Sequence, residues 1–190
     1  GQKIMTTRQG NWRLEWIDNQ TIALLRPAGS AGSGDWLFSL NVDSQKLEKI
    51  LGPLTDLEIR WSPDGQKLIF SYLNPRTGKI GLFYQDLVQR QEKSLNLSTL
   101  ATKCAWSIDS QMIFCGLPDQ SLTAVNRRGF SSDSLVSLDT AASQPEPTQI
   151  INSAGLSFAD VAEPLLTGTE DYLVFRNDQT GKLWALYLKP

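Results

Sequence analysis

Arg60-Trp61-Ser62-Pro63-Asp64-Gly65-Gln66-Lys67-Leu68-Ile69-Phe70-Ser71-Tyr72 is the stretch that decides how the chain folds. One β-type run ends at Trp61, a turn follows, and a second run starts at Lys67. In the turn, Pro63 presets the first position, Asp64 can bond its own backbone two residues on, and Gly65 supplies a positive φ. The same arrangement recurs 45 residues away on either side, as Glu15-Trp16-Ile17-Asp18-Asn19-Gln20 and Ala105-Trp106-Ser107-Ile108-Asp109-Ser110. β-type runs follow at 21–25 and 112–117. A fixed period of this length signals a repeat architecture.

Working outward from the tryptophans gives a unit of four runs, A to D. The second copy reads 57–61, 67–72, 80–86 and 92–97, with Asn74-Pro75-Arg76-Thr77-Gly78 as its B–C loop. The first reads 13–16, 21–25, 36–42 and 47–51. The third reads 103–106, 112–117, 134–139 and 148–152, with a long B–C loop over 118–133. The fourth has lost its tryptophan. Residues 158–161 stand in for run A, 172–176 and 182–188 form B and C, and run D is missing. A spare β-like run, 3–7, precedes the first copy. Short β-rich runs divided by such turns are antiparallel hairpins. Four of them repeating at this period make a propeller blade. The predicted fold is therefore an all-β propeller of about four blades, at 12–51, 57–97, 102–152 and 157–188.

The bulk numbers agree with a globular chain and narrow its chemistry. The 190 residues suffice for one core, and 20% charge is ordinary. The net charge of -2 offers no basic stripe for nucleic acid. No apolar run approaches the roughly 18 residues that span a bilayer. The start at Gly1-Gln2-Lys3, without Met, has the look of a trimmed sequence, with any targeting segment or membrane anchor removed. There is no histidine, which removes the commonest general base and any Ser-His-Asp or Cys-His site within this chain. Two cysteines cannot make a four-cysteine zinc site. No catalytic residue, metal site or cofactor is expected.

The Trp61-Ser62-Pro63-Asp64-Gly65 motif, followed by Gln66-Lys67-Leu68-Ile69-Phe70, resembles the repeat of TolB-type β-propellers. Trp106-Ser107-Ile108-Asp109-Ser110 is a weakened copy and Trp16-Ile17-Asp18-Asn19 a weaker one. The resemblance implies blades around a central channel, strand A innermost, in rings of six to eight blades. Four blades depart from that number. The spare run 3–7 and the missing last run are complementary, so 3–7 is expected to complete the fourth blade, of this chain or of a second one. The second arrangement is a homodimer sharing an eight-bladed ring. The resemblance also implies a non-catalytic interaction module in the cell envelope, hence an extracytoplasmic location. The alternative it implies is the propeller portion of a larger hydrolase, such as a propeller-gated serine peptidase. The end of the chain just after Leu188 reads as a natural terminus and ranks that alternative second.

Candidate sites follow from the blade layout. The tryptophans are expected to pack between blades, as large apolar side chains at one repeated position. Asp18, Asp64 and Asp109 are expected to form turns rather than bind metal. Cys104 and Cys115 flank one A–B hairpin. They share a sheet face with a two- or four-residue loop and oppose each other with a three-residue loop, so disulfide and free thiols both stay open. The B–C loops share one end of the blades with the D–A loops. They hold Arg26, Arg76, Lys79, Arg127, Arg128, Arg176 and Lys182 against Asp35, Asp119, Asp133 and Asp178. Arg26, Arg76, Arg127, Arg128 and Arg176 form the candidate binding face, suited to a protein or peptide partner of acidic character, with solvated surface charge as the alternative.

Overall fold

The computed structural model describes residues 3–7, 10–28, 34–127, 129–152 and 154–188. The chain divides into two compact units, Gly1–Leu57 and Glu58–Pro190. Among the described residues the regular structure is all strand, apart from one 3₁₀ turn at Ala101–Lys103.

In the first unit, β1 (Arg13–Trp16), β2 (Thr21–Arg26), β3 (Asp35–Asn41) and the start of β4 (Leu47–Trp61) form an antiparallel meander. The register sets Trp16 opposite Ile22 and Leu37 opposite Leu51. Leu24, Leu25, Leu37, Leu40 and Leu51 are buried. The runs predicted at 47–51 and 57–61 are one long strand, because β4 pairs with β3 at its start and with β5 at its end. The chain turns past β3 at Gly52, whose φ is +113° and where a Cβ would stand 2.6 Å from the Asp35 carbonyl oxygen. No other residue fits there. The Asp35 carboxylate accepts the N–H of Ala28 at 2.6 Å and that of Leu57 at 2.7 Å, tying the head of strand C to the following strand A.

The second unit holds the rest of β4 with β5 (Lys67–Leu73), β6 (Ile80–Asp86) and β7 (Gln91–Ser94). A four-stranded sheet follows, β8 (Cys104–Trp106), β9 (Met112–Pro118), β10 (Asp133–Asp139) and β11 (Thr148–Ile151). The last sheet has three strands, β12 (Val161–Leu166), β13 (Tyr172–Asn177) and β14 (Lys182–Tyr187). All pairings are antiparallel between sequence neighbours, as blades require. In β6 every second residue, from Ile80 to Asp86, is buried, the period of a strand with one covered face. Ile69, Leu82, Tyr84 and Leu95 meet Trp106, Ile113, Val136 and Leu138 in one core between the second and third blades. Leu135, Val161, Leu173 and Phe175 form another between the third and fourth. Each such side chain contributes about 1.5–3 kcal/mol on burial. Burial and the neighbouring Asp86 push the Tyr84 hydroxyl up to about 12.

The structure corrects several expectations. Run D of the second blade ends as a strand at Ser94, because Asn96 takes φ 56°. Leu95 and Leu97 still bond to Leu82. Strand A of the fourth blade is Val161–Leu166, not 158–161, so Leu166 holds the tryptophan position. Residues 3–7 form no strand in this structure, and β14 remains the edge of a three-stranded sheet.

The tryptophans divide. Trp61 and Trp106 are 7% and 6% exposed, Trp106 in the core between the second and third blades, but Trp16 is 62% exposed. The Trp106 indole donates to the Arg60 carbonyl at 3.2 Å, and its ring lies 6.4 Å from Tyr84. Trp16 stands on a strand exposed along its whole length. The three turn aspartates all accept backbone N–H groups two residues on. Asp18 bonds Gln20 at 2.7 Å, and Asp64 and Asp109 bond Gln66 and Gln111, each at 3.0 Å.

Cys104 and Cys115 sit directly opposite each other and are joined in a disulfide, their Cα atoms 4.1 Å apart. The Ser107 N–H bonds the Met112 carbonyl at 2.8 Å. That closes the hairpin over residues 108–111, the even loop length that puts both sulfurs on one face.

Candidate functional site

A cavity of about 290 Å³ opens at the B–C end of the third and fourth blades. It is lined by Leu100, Thr102, Lys103, Arg127, Gly129, Phe130, Asp160, Ala162, Glu163, Arg176 and Asp178. A neighbouring recess of about 250 Å³ shares Phe130.

Its floor is a buried ion cluster. Lys103 ends the 3₁₀ turn that leads into β8, and its side chain is 11% exposed. Its ammonium donates to Ser131 Oγ at 2.8 Å, to Asp133 Oδ2 at 2.7 Å and to Asp160 Oδ1. A lysine has three N–H donors, and all three are engaged. Asp133, at the head of β10, is fully buried, and it also accepts the Val161 N–H at 2.8 Å. Burial pushes the Asp133 carboxyl up from its ordinary range, against the pull of Lys103, the Val161 N–H and Ser131. Gly116 makes room for this. A Cβ there would come 2.7 Å from Val161 Cβ and 2.8 Å from Asp133 Oδ2.

The wall is the long B–C loop of the third blade, held at both sides. Toward the second blade, the Ile80 N–H bonds the Leu122 carbonyl at 2.9 Å, and the Leu122 N–H bonds Ser98 Oγ at 2.8 Å. Toward the fourth, Gln179 Nε2 donates to the carbonyls of Ser131 and Phe158 at 2.9 and 2.8 Å. Asn126 Oδ1 accepts the Thr123 N–H at 2.7 Å and shapes the turn before Arg127. At the tip, Phe130 is 72% exposed.

The opposite rim carries Arg176, which donates to Asp178 at 2.6 Å and to Glu163 at 3.2 Å. Its hydrogen bond to Asp178, then the two carboxylate charges, raise its already high pKa. Lys103 and Ser131 are close enough to suggest a Ser-Lys nucleophile pair. Each acceptor around the lysine is already matched to one of its N–H groups, which holds the pair in a fixed geometry. The arrangement ties the end of the long loop to the heads of β8, β10 and β12.

Of the sequence-predicted face, the structure brings Arg127 and Arg176 to one cavity. Arg76 lies apart in the exposed turn capped by Asn74, and Arg26 lies in the other unit with its guanidinium 5.8 Å from the Trp36 ring centroid. Arg128 falls outside the described residues. Sequence reasoning missed Lys103, Ser131, Asp160, Glu163 and Phe130. One signal was present: Asp133 aligns with Asp35 at the head of strand C, and both carboxylates bond the first N–H of the following strand A.

The successive antiparallel sheets are those of a TolB-like β-propeller fold. Solved structures agree. The chain matches TolB from Acinetobacter baumannii with a TM-score of 0.58 and 14% identity, over 90% of this chain and 39% of that one. It matches a TolB-designated protein from Agrobacterium tumefaciens at 0.61 and 16%, over 97% and 60%. It matches the β-propeller domain of the Trilobed protease from Pyrococcus furiosus at 0.56 and 15%, over 86% and 47%. The chain thus spans 39–60% of the length of these structures. No protein-family model matches the sequence. No curated protein matches it either.

Proposed function

We propose that this chain is a non-catalytic binding module that receives a protein or peptide segment at the Phe130–Arg127 rim of the third and fourth blades. The observation that carries this is the pinned loop. It presents an exposed aromatic ring and an arginine beside a preformed cavity, on a frame locked by the Lys103 cluster. Aromatic and arginine side chains at a pocket are the composition of binding hot spots, and a rigid loop lowers the ordering cost of binding. The cavity lining balances Lys103, Arg127 and Arg176 against Asp160, Glu163 and Asp178. The partner therefore needs an apolar anchor first and a carboxylate second, a narrower demand than general acidity. The disulfide and the TolB likeness support an extracytoplasmic location. Among the described residues, no helix is long and apolar enough to cross a membrane. The likeness to a protease propeller supports a second reading, the propeller portion of a larger hydrolase. A hydrolase domain in the same gene would favour it.

The test is selection from a phage-displayed random heptapeptide library. Enriched peptides should carry an aromatic or large aliphatic residue, and should lose binding to Phe130→Ala and Arg127→Glu. Peptides that bind both variants as well as the parent, or no enrichment, would sink the proposal.

A further inference from the structure

We propose that the recess beside the charged cavity is a second binding site, and that it takes one ring of an uncharged saccharide. This site goes beyond the peptide site and does not depend on it.

The recess belongs to a departure from the repeat. The connection from β5 to β6 spans 74–79 and that from β13 to β14 spans 178–181, whereas the one from β9 to β10 spans 119–132. The extra residues are tied into a frame. The Asp119 N–H bonds the Ser132 carbonyl at 3.0 Å across the neck of the loop. Asn126 Nδ2 donates to the Ser121 carbonyl at 3.2 Å, and Thr123 pairs with Lys79 in an isolated bridge. Leu122, which lines the recess, is buried and adds an apolar surface. The hollow of about 250 Å³ has room for one pyranose ring rather than a chain.

Its lining differs in chemistry from that of the cavity. Phe130 borders both, but Asp119 is the one charged residue of the recess. The Asp119 carboxylate, the Gln120 amide and the Ser132 hydroxyl have no hydrogen-bond partner among the described residues. None of them is engaged in holding the loop. Together they offer acceptors and donors side by side. An anion would use the donors but meet Asp119 as a like charge. A cation would use Asp119 and the exposed ring, and would leave the Gln120 N–H groups without an acceptor. A sugar ring uses all of them. Its hydroxyls donate and accept at once, neighbouring hydroxyls match the span of one carboxylate or one amide, and its C–H face can lie on the Phe130 ring. An apolar wall with a few convergent polar groups is the ordinary form of a small-ligand pocket.

Saturation-transfer NMR with the methyl glycosides of glucose, galactose, mannose and N-acetylglucosamine, each at about 10 mM, reads the contact directly. At least one should receive saturation, strongest on the ring C–H protons of one face. Asp119→Ala should weaken binding about tenfold and Gln120→Ala about fivefold. Both should keep the parent circular dichroism, since the described residues give neither side chain a bond to lose. Arg127→Glu should leave saccharide binding intact, and Asp119→Ala should leave selected peptides bound, so the two sites fail separately. No saturation of any glycoside overturns the proposal. So does saturation that survives Asp119→Ala and Gln120→Ala unchanged. Binding of tetramethylammonium in place of the glycosides would make the recess a cation site and equally overturn it.

Discussion

Replacing Lys103 with methionine removes the ammonium and keeps the side-chain length. Asp133 is fully buried and Asp160 nearly so, and both lose their cation. Asp133 keeps the Val161 N–H and Asp160 the Ser131 N–H at 3.3 Å, and the two carboxylates compete for the single Ser131 hydroxyl proton. Breaking a buried pair in this way costs about 3–5 kcal/mol, because a charge is left in a poor solvent. With a urea slope of roughly 2 kcal/mol/M, the midpoint should fall by about 2 M at pH 7. The pH dependence is the sharper signature. Burial already raises the Asp133 carboxyl above its ordinary 3.8, and loss of Lys103 raises it further. The folded variant then holds a proton that the unfolded chain has released, so its stability falls as pH rises from 3.8 toward the folded value. The deficit should be small near pH 4 and full at pH 7. Urea titrations of both proteins at the two pH values, followed by circular dichroism, measure it. A deficit below about 1 kcal/mol at pH 7, or one equal at both pH values, would refute the view of this cluster as a desolvated ion pair. Adding Asp160→Asn should recover part of the loss.

Three further outcomes are expected. Cys104→Ala with Cys115→Ala opens a loop of sequence separation 11 and should cost about 3 kcal/mol in thermal or urea unfolding; intact mass with alkylation before and after reduction checks the bond itself. Trp106→Ala should cost about 3–5 kcal/mol, whereas exposed Trp16→Ala should leave the fold of a single chain within about 0.5 kcal/mol, both read from urea midpoints. Asp64 is pushed up by burial but held low overall by Ser62, the Gln66 N–H, Lys67 and Ser110, and Asp109 is held low by Ser107 and the Gln111 N–H. The stability they add is present above the unfolded value of 3.8 and lost as pH falls through the folded one, so Asp64→Asn with Asp109→Asn should flatten the acid limb of melting temperature against pH.

Much of the blade framework is local and was therefore legible. Pro63, Asp64 and Gly65 fix one turn by their own backbone preferences, and the 45-residue spacing of the tryptophans marks the repeat. Strand A of the fourth blade was misplaced because its Trp is replaced by Leu166 and its pairing slips between Ala162 and Leu165. A register slip leaves no trace in composition. The disulfide stayed open because it turns on whether the hairpin loop is odd or even, a matter of one residue. Trp16 was assigned a buried role because its motif matched, yet burial belongs to the neighbour as much as to the motif.

The candidate site was the least legible part, for a reason the repeat makes plain. Lys103 precedes one strand A, Asp160 precedes the next, and Ser131 and Asp133 end the loop between them in sequence. Partners 28 to 57 residues apart meet only when consecutive blades stack. Two departures from the repeat create the space they enclose: the long loop over 118–133, and the fourth blade's altered entry at Asp160–Glu163. Where the motif is kept, as between Tyr84 and Trp106, the blades close on an apolar core. Where it lapses, the same interface carries paired charges and a cavity. The regular positions thus build the scaffold, and the irregular ones distinguish this propeller's surface from any other built on the same motif.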